Sequence, residues 1–442
     1  MRTHFTLSMI FIAAPAVFGA NQYVQHNLVS DIPGMADQTD ANLVNPWGIS
    51  FSPTSPFWIS NNHSGITSVY DGTGKPALTV GIPAPPNGAP PASPTGQVYN
   101  DTPGFVLSGK PASFIFSTED GTISGWNSSA DPKNAVILVD NSPAGAVYKG
   151  IAVANTSNGP MLFAANFNAG TIDVFDANLS PAATSGGFAD AALPAGYAPF
   201  NIARIGQKLY VTYAVQDDAK HDDVPGAGNG LVDVFDFNGN LLGRLIANGA
   251  LNSPWGVAMA PSNFGDFSNT LLVGNFGDGT INAFDPCSGA YIGTLADQNG
   301  AAIAIPGLWA LIFGNGHNGG DATILYFTAG IPGGGNLEDH GLFGSLQPAA
   351  LAPAPSQTPQ SVAVNIANFA FAPPSINIAA GTEITWTNMD GAAHTVVSDD
   401  SKFTGSNPVS QNQSFSQTFS TPGTYAYHCS IHPFMKGTVV VK

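Results

Sequence analysis

The chain has two cysteines, Cys287 and Cys429, among 442 residues. That supply is too small for a disulfide scaffold, and the lack of any Cys-x-x-Cys-His run excludes covalently attached haem. Charge is scarce too. Asp, Glu, Lys and Arg make up 9% of the chain, against roughly a quarter in ordinary soluble proteins. Only 12 residues are Lys or Arg against 29 acidic ones, which leaves a net charge of −17. With no basic patch to meet phosphates, nucleic acid and anionic membrane surfaces are excluded as partners. Beyond the first 20 residues no apolar run is long enough to span a bilayer, so no transmembrane segment is expected there. Long stretches with a helical period and end caps are missing as well.

Glycine and proline are plentiful, at 51 and 35 residues, and they punctuate short apolar runs. That pattern predicts an all-β protein. The first residues, Met1-Arg2-Thr3-His4, lead into "FTLSMIFIAAPAVFGA", which ends in small residues at Gly19 and Ala20 and is followed by polar "NQYVQHN". A basic start, a short apolar run and small residues predict a cleaved secretory signal over residues 1–20 and a periplasmic or secreted protein. Residues 345–360, "SLQPAALAPAPSQTPQ", have no charge and no apolar period and read as a semi-extended linker. The predicted domains are thus 21–346, a linker over 347–360, and 361–442. The charge lies upstream, because residues 358–442 carry three Lys and four acidic residues.

Upstream of the linker a unit of about 40–50 residues recurs. Its third strand opens on Gly and closes on an Asp or Asn turn, as in "GITSVYDGTG", "GTIDVFDANLS", "GLVDVFDFNGN" and "GTINAFDPCSG". A preceding strand reads "PFWISNN", "MLFAANFN", "KLYVTYA" or "TLLVGNFGD", and a first strand "NPWGISF", "YKGIAVA", "APFNIAR", "SPWGVAMA" or "PGLWALIF". Repeated strand–strand–hairpin–strand units predict a β-propeller. Counting gives six blades; a seventh requires residues 75–118 to hide a degenerate one. In blade two, "PGFVLSG" fills the place of the first strand. Tyr23–Asp31 is expected to supply the outer strand of the last blade and close the ring, which removes exposed sheet edges.

Polar residues recur at one hairpin of each repeat: Asn61, Asn62 and His63; Glu119 and Asp120; Asn166 and Asn168; Asp217, Asp218 and Asp223; Asn275 and Asp278; Glu338, Asp339 and His340. Tight turns require such residues in any case, and no pair of them forms a catalytic motif. This face is where a ligand or protein partner of the propeller would bind. Trp47, Trp255 and Trp309 read as core between blades. The insert Val215–Gly230 reads as a solvated loop, although its four aspartates, Lys220 and His221 could clamp a cation. The region from Tyr23 to about Leu346, through "LVNPWGIS", "SPWGVAMAP" and "LLVGNFGDGTINAFDP", resembles a family of exported bacterial propeller proteins. The resemblance implies a fold and no chemistry.

Residues 361–442 alternate apolar and polar positions between turn signals, which predicts a small β-sandwich. Its last strand runs into "YHCSIHPFMKG". Along that strand Tyr425, Tyr427 and Cys429 share one face, and His428 points away. A tight loop can then turn His432 and Met435 back toward Cys429, and His394 at the end of an earlier strand supplies a second imidazole. One thiolate, two imidazoles and a thioether form the blue-copper ligand set. Zinc has no use for the thioether. A binuclear copper centre would need two cysteines in the loop, and a multicopper oxidase would need His-x-His pairs, which are absent.

The same stretch, with "FAFAPPSINIAAGTEITWTN", "AAHTVVS" and "GTYAYHCSIHPFMKGTVVV", resembles the plastocyanin and amicyanin branch of the cupredoxins. The resemblance implies one type 1 copper on His394, Cys429, His432 and Met435. It also implies that His432 is the ligand nearest the surface, with Pro433 and Phe434 in an apolar patch where a redox partner docks. Thr395 stands where plastocyanins carry Asn. The function expected is one-electron transfer by an exported protein. The alternatives are a propeller enzyme for which the copper domain relays electrons, and a copper-binding surface protein without turnover.

Overall fold

A computed structural model describes residues 22–349 and 361–442. The predicted signal and most of the predicted linker lie outside the described residues. The chain divides into two compact units, one holding residues 22–349 and the other residues 361–442. Both are all-β, with only three single-turn 3₁₀ helices among the described residues.

The larger unit holds six main sheets of three to five strands, antiparallel except where Tyr23–Ser30 pairs parallel with Gln38–Thr39. They start with Pro46–Ser50, Pro94–Tyr99, Tyr148–Thr156, Tyr197–Ile205, Pro254–Met259 and Leu308–Phe313, and in the first five sheets the strands follow in chain order. Each first strand packs beside the first strand of the next sheet, and the sixth packs beside the first, so the cycle is closed. Glycine permits the approach. A methyl group on Gly150 would lie 2.1 Å from Asn201 Oδ1, and one on Gly48 would lie 2.6 Å from the Thr95 carbonyl oxygen. Where the first strands converge they line a cavity of about 430 Å³, with Ile49, Val98, Ile151, Ile202, Val257 and Leu311 each contributed by a different sheet.

The sixth sheet is completed from the other end of the unit. Tyr23–Ser30 pairs antiparallel with Leu342–Pro348, with Tyr23 opposite Pro348 and Ser30 opposite Leu342. The last strand therefore reaches into the proline-rich stretch that composition assigns to the linker. Pro348 is tolerated there because the end of a strand needs no further amide donor. The second sheet differs from the sequence reading. Its first strand is Pro94–Tyr99, and "PGFVLSG" instead contributes Val106–Leu107 to a separate two-stranded hairpin with Lys110–Pro111. The deciding signal was the Pro-x-Gly of Pro94-Thr95-Gly96, which repeats Pro46-Trp47-Gly48 and Pro254-Trp255-Gly256. Residues 75–118 hold no additional main sheet.

Trp47, Trp255 and Trp309 are buried and meet each other. Trp47 stacks on Trp309 at 3.5 Å between centroids, and Trp255 stands edge-on to both. These rings form a shared core for the first strands, as their place in the repeat predicted.

The smaller unit is a sandwich of two four-stranded sheets. One holds Ala370–Ala372, Ser361–Ala367, Thr382–Asn388 and Ser414–Phe419; the other holds Ser375–Ile378, Lys436–Val441, Gly423–His428 and Val397–Ser398. Alternate residues of Thr382–Asn388 are buried, so Thr382, Ile384, Trp386 and Asn388 face inward. Between the sheets lie Ile366, Phe371, Trp386, Phe419, Tyr427 and Val439. The Trp386 indole donates to the Tyr427 hydroxyl at 3.1 Å, which satisfies a polar atom that would otherwise be costly to bury.

Candidate metal centre and a second polar cluster

The strand Gly423–His428 delivers Cys429 to the end of the sandwich. Tyr425, Tyr427 and Cys429 are buried, while His428 turns outward and pairs with Asp399. The chain then closes a tight loop. The Cys429 amide donates to the Met435 carbonyl oxygen at 3.1 Å, and the Met435 amide to that of His432 at 2.9 Å. This loop brings His432 back over Cys429 and buries Met435 in the sandwich core. His394 arrives from the segment after Thr382–Asn388 and is fully buried.

Three donor atoms converge. Cys429 Sγ lies 3.7 Å from His394 Nδ1 and 3.8 Å from His432 Nδ1, and the two nitrogens are 3.2 Å apart. A point equidistant from all three lies about 2.1 Å from each, close to a metal–nitrogen bond length. The set therefore fits a small soft-to-borderline ion. The rings are oriented from behind. Asp390 Oδ2 meets His394 Nε2 at 3.1 Å and thereby turns Nδ1 toward the sulfur. Asp390 is itself fixed by the amides of Phe369 and Asn368, and the Phe369 amide leads in holding its carboxyl below the usual range. The Phe369 ring packs edge-on against both His394 and His432.

Thr395 takes part as well. Its amide donates to Cys429 Sγ at 3.3 Å, and its hydroxyl oxygen accepts from the Ser430 amide at 2.8 Å. A threonine therefore ties the two ligand-bearing segments together at this position. Around half-buried His432 the surface is apolar: Phe369 and Phe434 flank its ring, and both are exposed, as is adjoining Ile431.

Residues 359–442 match the family described as copper binding proteins, plastocyanin/azurin family. Amicyanin-alpha of Methylorubrum extorquens is 41% identical over 86 residues, covering 19% of this chain and 72% of that one. The C-terminal unit belongs to this family of copper-binding cupredoxins. The plastocyanin of Scenedesmus fuscus is 36% identical over 84 residues, covering 16% of this chain and 86% of its own. A different relative accounts for the rest. Uncharacterized protein R648 of Acanthamoeba polyphaga mimivirus is 34% identical over 316 residues, or 69% of this chain and 76% of that one. That span is far longer than the cupredoxin unit, so it takes in most of the larger unit, which belongs with R648.

Cys287 lies exposed and free, far in the sequence from the cupredoxin ligands, and Cys429 is also free. The hairpin residues of the larger unit are not all mere turn formers. Lys149, in the strand Tyr148–Thr156, is buried to 1% exposure. Its ammonium bonds Glu119 Oε1 and, at 3.2 Å, Asp222 Oδ1, and it lies 5.0 Å from the centroid of Trp47. Asn62 donates to the other Glu119 oxygen at 2.9 Å, and His221 Nδ1 meets Asp222 Oδ1 at 3.0 Å. Beside them, Glu338 accepts from the Asn45 amide at 3.1 Å, and Asn45 in turn accepts from the Trp309 indole. Four of the six sheets or their flanking turns supply the cluster's charged groups, and the first adds Asn45 and Asn62 from the turns flanking its strands.

The environment separates these groups. Burial opposes the charge on Lys149, but Glu119 and Asp222 more than offset it and raise its pKa. The His221 hydrogen bond leads in lowering Asp222 to about 2. Burial, then the charge of Glu119, pushes Glu338 up to about 7, and burial pushes neighbouring Asp223 to about 6. The sequence reading missed Lys149, which passed for an ordinary strand residue. The available signal was positional: "YKG" places a lysine where "PWG" twice places tryptophan.

Proposed function

We propose that the chain is an exported one-electron carrier, holding one type 1 copper on His394, Cys429, His432 and Met435. The convergence of two imidazole nitrogens and one buried sulfur at metal-binding distances carries this reading. Bound there, copper would supply a Cu(I)/Cu(II) couple on a strongly coupled thiolate. The residues do the rest. Asp390 and Phe369 hold His394, the backbone-closed loop holds His432, and the packed core keeps water from Cys429. Little has to move between oxidation states, which favours rapid transfer. His432 is the ligand nearest the surface, and Phe369, Ile431 and Phe434 form an apolar patch beside it on which a redox partner would dock.

We further read the larger unit as a six-bladed β-propeller that binds a partner or ligand. The closed cycle of first strands, the cavity at their convergence and the strand supplied from Tyr23–Ser30 support that architecture. Export rests on residues 1–20; no helix among the described residues is long and apolar enough to cross a membrane. A second reading, with the propeller as substrate-binding partner of an electron relay, is favoured by the convergence of Lys149, Glu119, Asp222 and Glu338. The absorption spectrum of the copper-loaded chain tests the metal assignment. Intense blue absorption should vanish in Cys429→Ser and survive in Cys287→Ser. Bleaching by Cys287→Ser, or colour retained without Cys429, would overturn the ligand set.

A further inference from the structure

The hairpin turn between Ser361–Ala367 and Ala370–Ala372 is strained in a way its place in the sheet does not require. Ala367 pairs with Ala370, so Asn368 and Phe369 alone make the turn, at φ of 53° and 57°. Two-residue turns with both residues left-handed favour Asn followed by Gly. Asn368 fits that preference, but Phe369 puts a bulky side chain where glycine is the unstrained choice. Burial of the ring does not offset this, since the ring is exposed. What the ring meets is the metal centre. It stands edge-on to His394 at 5.4 Å and to His432 at 5.0 Å between centroids, two imidazoles that lie 38 residues apart in the chain. One carboxylate holds the turn in place. Asp390 Oδ1 accepts from the Asn368 amide at 2.7 Å, and Oδ2 accepts from the Phe369 amide at 2.9 Å. The same Oδ2 faces His394 Nε2 at 3.1 Å.

We infer that Phe369 is a positioning residue for the metal centre: its turn, pinned by Asp390, clamps the His432 ring beside His394 and slows the loss of copper. The inference rests on the copper reading above and extends it to a strand pair outside the ligand loop. The two imidazoles need different restraints. His394 is fully buried, and its outer nitrogen is tied to Asp390. His432 is half-buried, and its Nε2 has no hydrogen-bond partner among the described residues. Without the outer hydrogen bond that usually orients a metal-ligating histidine, the His432 ring is held against rotation by packing, and Phe369 supplies that packing. A copper ion that leaves must first lose a ligand, and the less tied imidazole is the first to turn. Asp390 makes the two restraints one unit, since it fixes His394 directly and His432 through the turn. The strained backbone then has a reason: glycine would relax the turn and remove the clamp.

Phe369→Gly separates the clamp from the fold, because glycine adopts the φ of this turn without strain. In the copper-loaded full chain, the fading of blue absorption in excess chelator gives the rate of copper loss, and the electron paramagnetic resonance spectrum reports ligand geometry. Hydrogen exchange over residues 361–442 of the copper-free full chain reports the fold. With two edge-on ring contacts removed, Phe369→Gly should lose copper about tenfold faster. Its copper hyperfine splitting should change, while exchange stays no faster than in the parent. Phe369→Tyr keeps the ring and should restore both retention and spectrum. Because Asp390 holds the turn, adding Phe369→Gly to Asp390→Ala should speed copper loss by less than about twofold beyond Asp390→Ala alone. The inference is overturned if Phe369→Gly keeps copper and spectrum like the parent, if its copper loss merely follows faster exchange of the sandwich, or if the two substitutions multiply. A parent chain that takes up no copper would refute the copper reading itself, whereas a blue parent with an unchanged Phe369→Gly refutes the clamp alone.

Discussion

Replacing Lys149 by Met removes an ammonium that is 1% exposed and leaves its two carboxylate partners behind. Their burial differs: the Glu119 side chain is 11% exposed and that of Asp222 is 66% exposed. Water can re-solvate Asp222, so most of the cost falls on Glu119. Breaking a buried pair by deleting one partner costs about 3–5 kcal/mol, and discounting the exposed partner leaves about 3 kcal/mol. The ammonium's place over the Trp47 ring adds a smaller contribution, which Met largely retains as packing. Adding Glu119→Gln should recover about half of the loss, because Asn62 can still bond the new amide oxygen and no charge is stranded. Urea unfolding at pH 7, followed by tryptophan fluorescence, measures both variants. The blue absorption reports on the cupredoxin unit and should not shift. A loss below about 1 kcal/mol, or a double variant no better than the single one, would refute the picture of Lys149 as the buried counter-ion of Glu119.

Further outcomes follow from the same structure. Glu338 stands at about 7 in the folded protein against an ordinary 4.5. The folded state thus holds this proton more tightly than the unfolded chain, and stability that is complete below 4.5 is lost as pH rises through 7. Glu338→Gln should therefore be more stable than the parent at pH 8 by at most about 3 kcal/mol and near-equal at pH 4.5, read by thermal unfolding. Equal curves at both pH values would count against a buried Glu338. Thr395→Ala removes the acceptor of the Ser430 amide and should lower cupredoxin stability by about 1 kcal/mol and speed copper loss to a chelator, while Thr395→Ser keeps both near normal. Limited proteolysis should cut first within residues 349–360 and release a C-terminal fragment that stays blue, since all four proposed ligands lie inside it.

How much of this was legible in the sequence depended on the range of the interaction. The cupredoxin site was the clearest part. Cys429, His432 and Met435 are bound into one short loop, and alternation along a strand already separates His428 from Cys429. Repeat spacing exposed the sheets of the larger unit wherever the third strand kept its Gly and Asp marks. It failed at Pro94–Tyr99, where "PTGQVY" has threonine in place of the aromatic, although the Gly needed for close strand packing remained. Lys149 lay beyond reach for another reason. Its partners Glu119 and Asp222 are 30 and 73 residues away, and nothing local distinguishes a lysine that will be buried from one that stays in water. Thr395 shows the converse, because a hydroxyl can do there what a longer amide would do, and a residue-by-residue comparison sees only the difference.

The pairing of Tyr23–Ser30 with Leu342–Pro348 also governs how the larger unit answers to force. Tyr23 and Pro348 sit opposite each other, so both ends of the unit leave the sheet at the same place. Tension applied through residues 22 and 349 would peel the two strands apart one hydrogen bond at a time, like a zip, instead of loading the whole ladder in shear. Its weakest mechanical point is thus the seam at which the first and last strands meet, and opening that seam would expose two strand edges while the other five sheets keep their own hydrogen bonds.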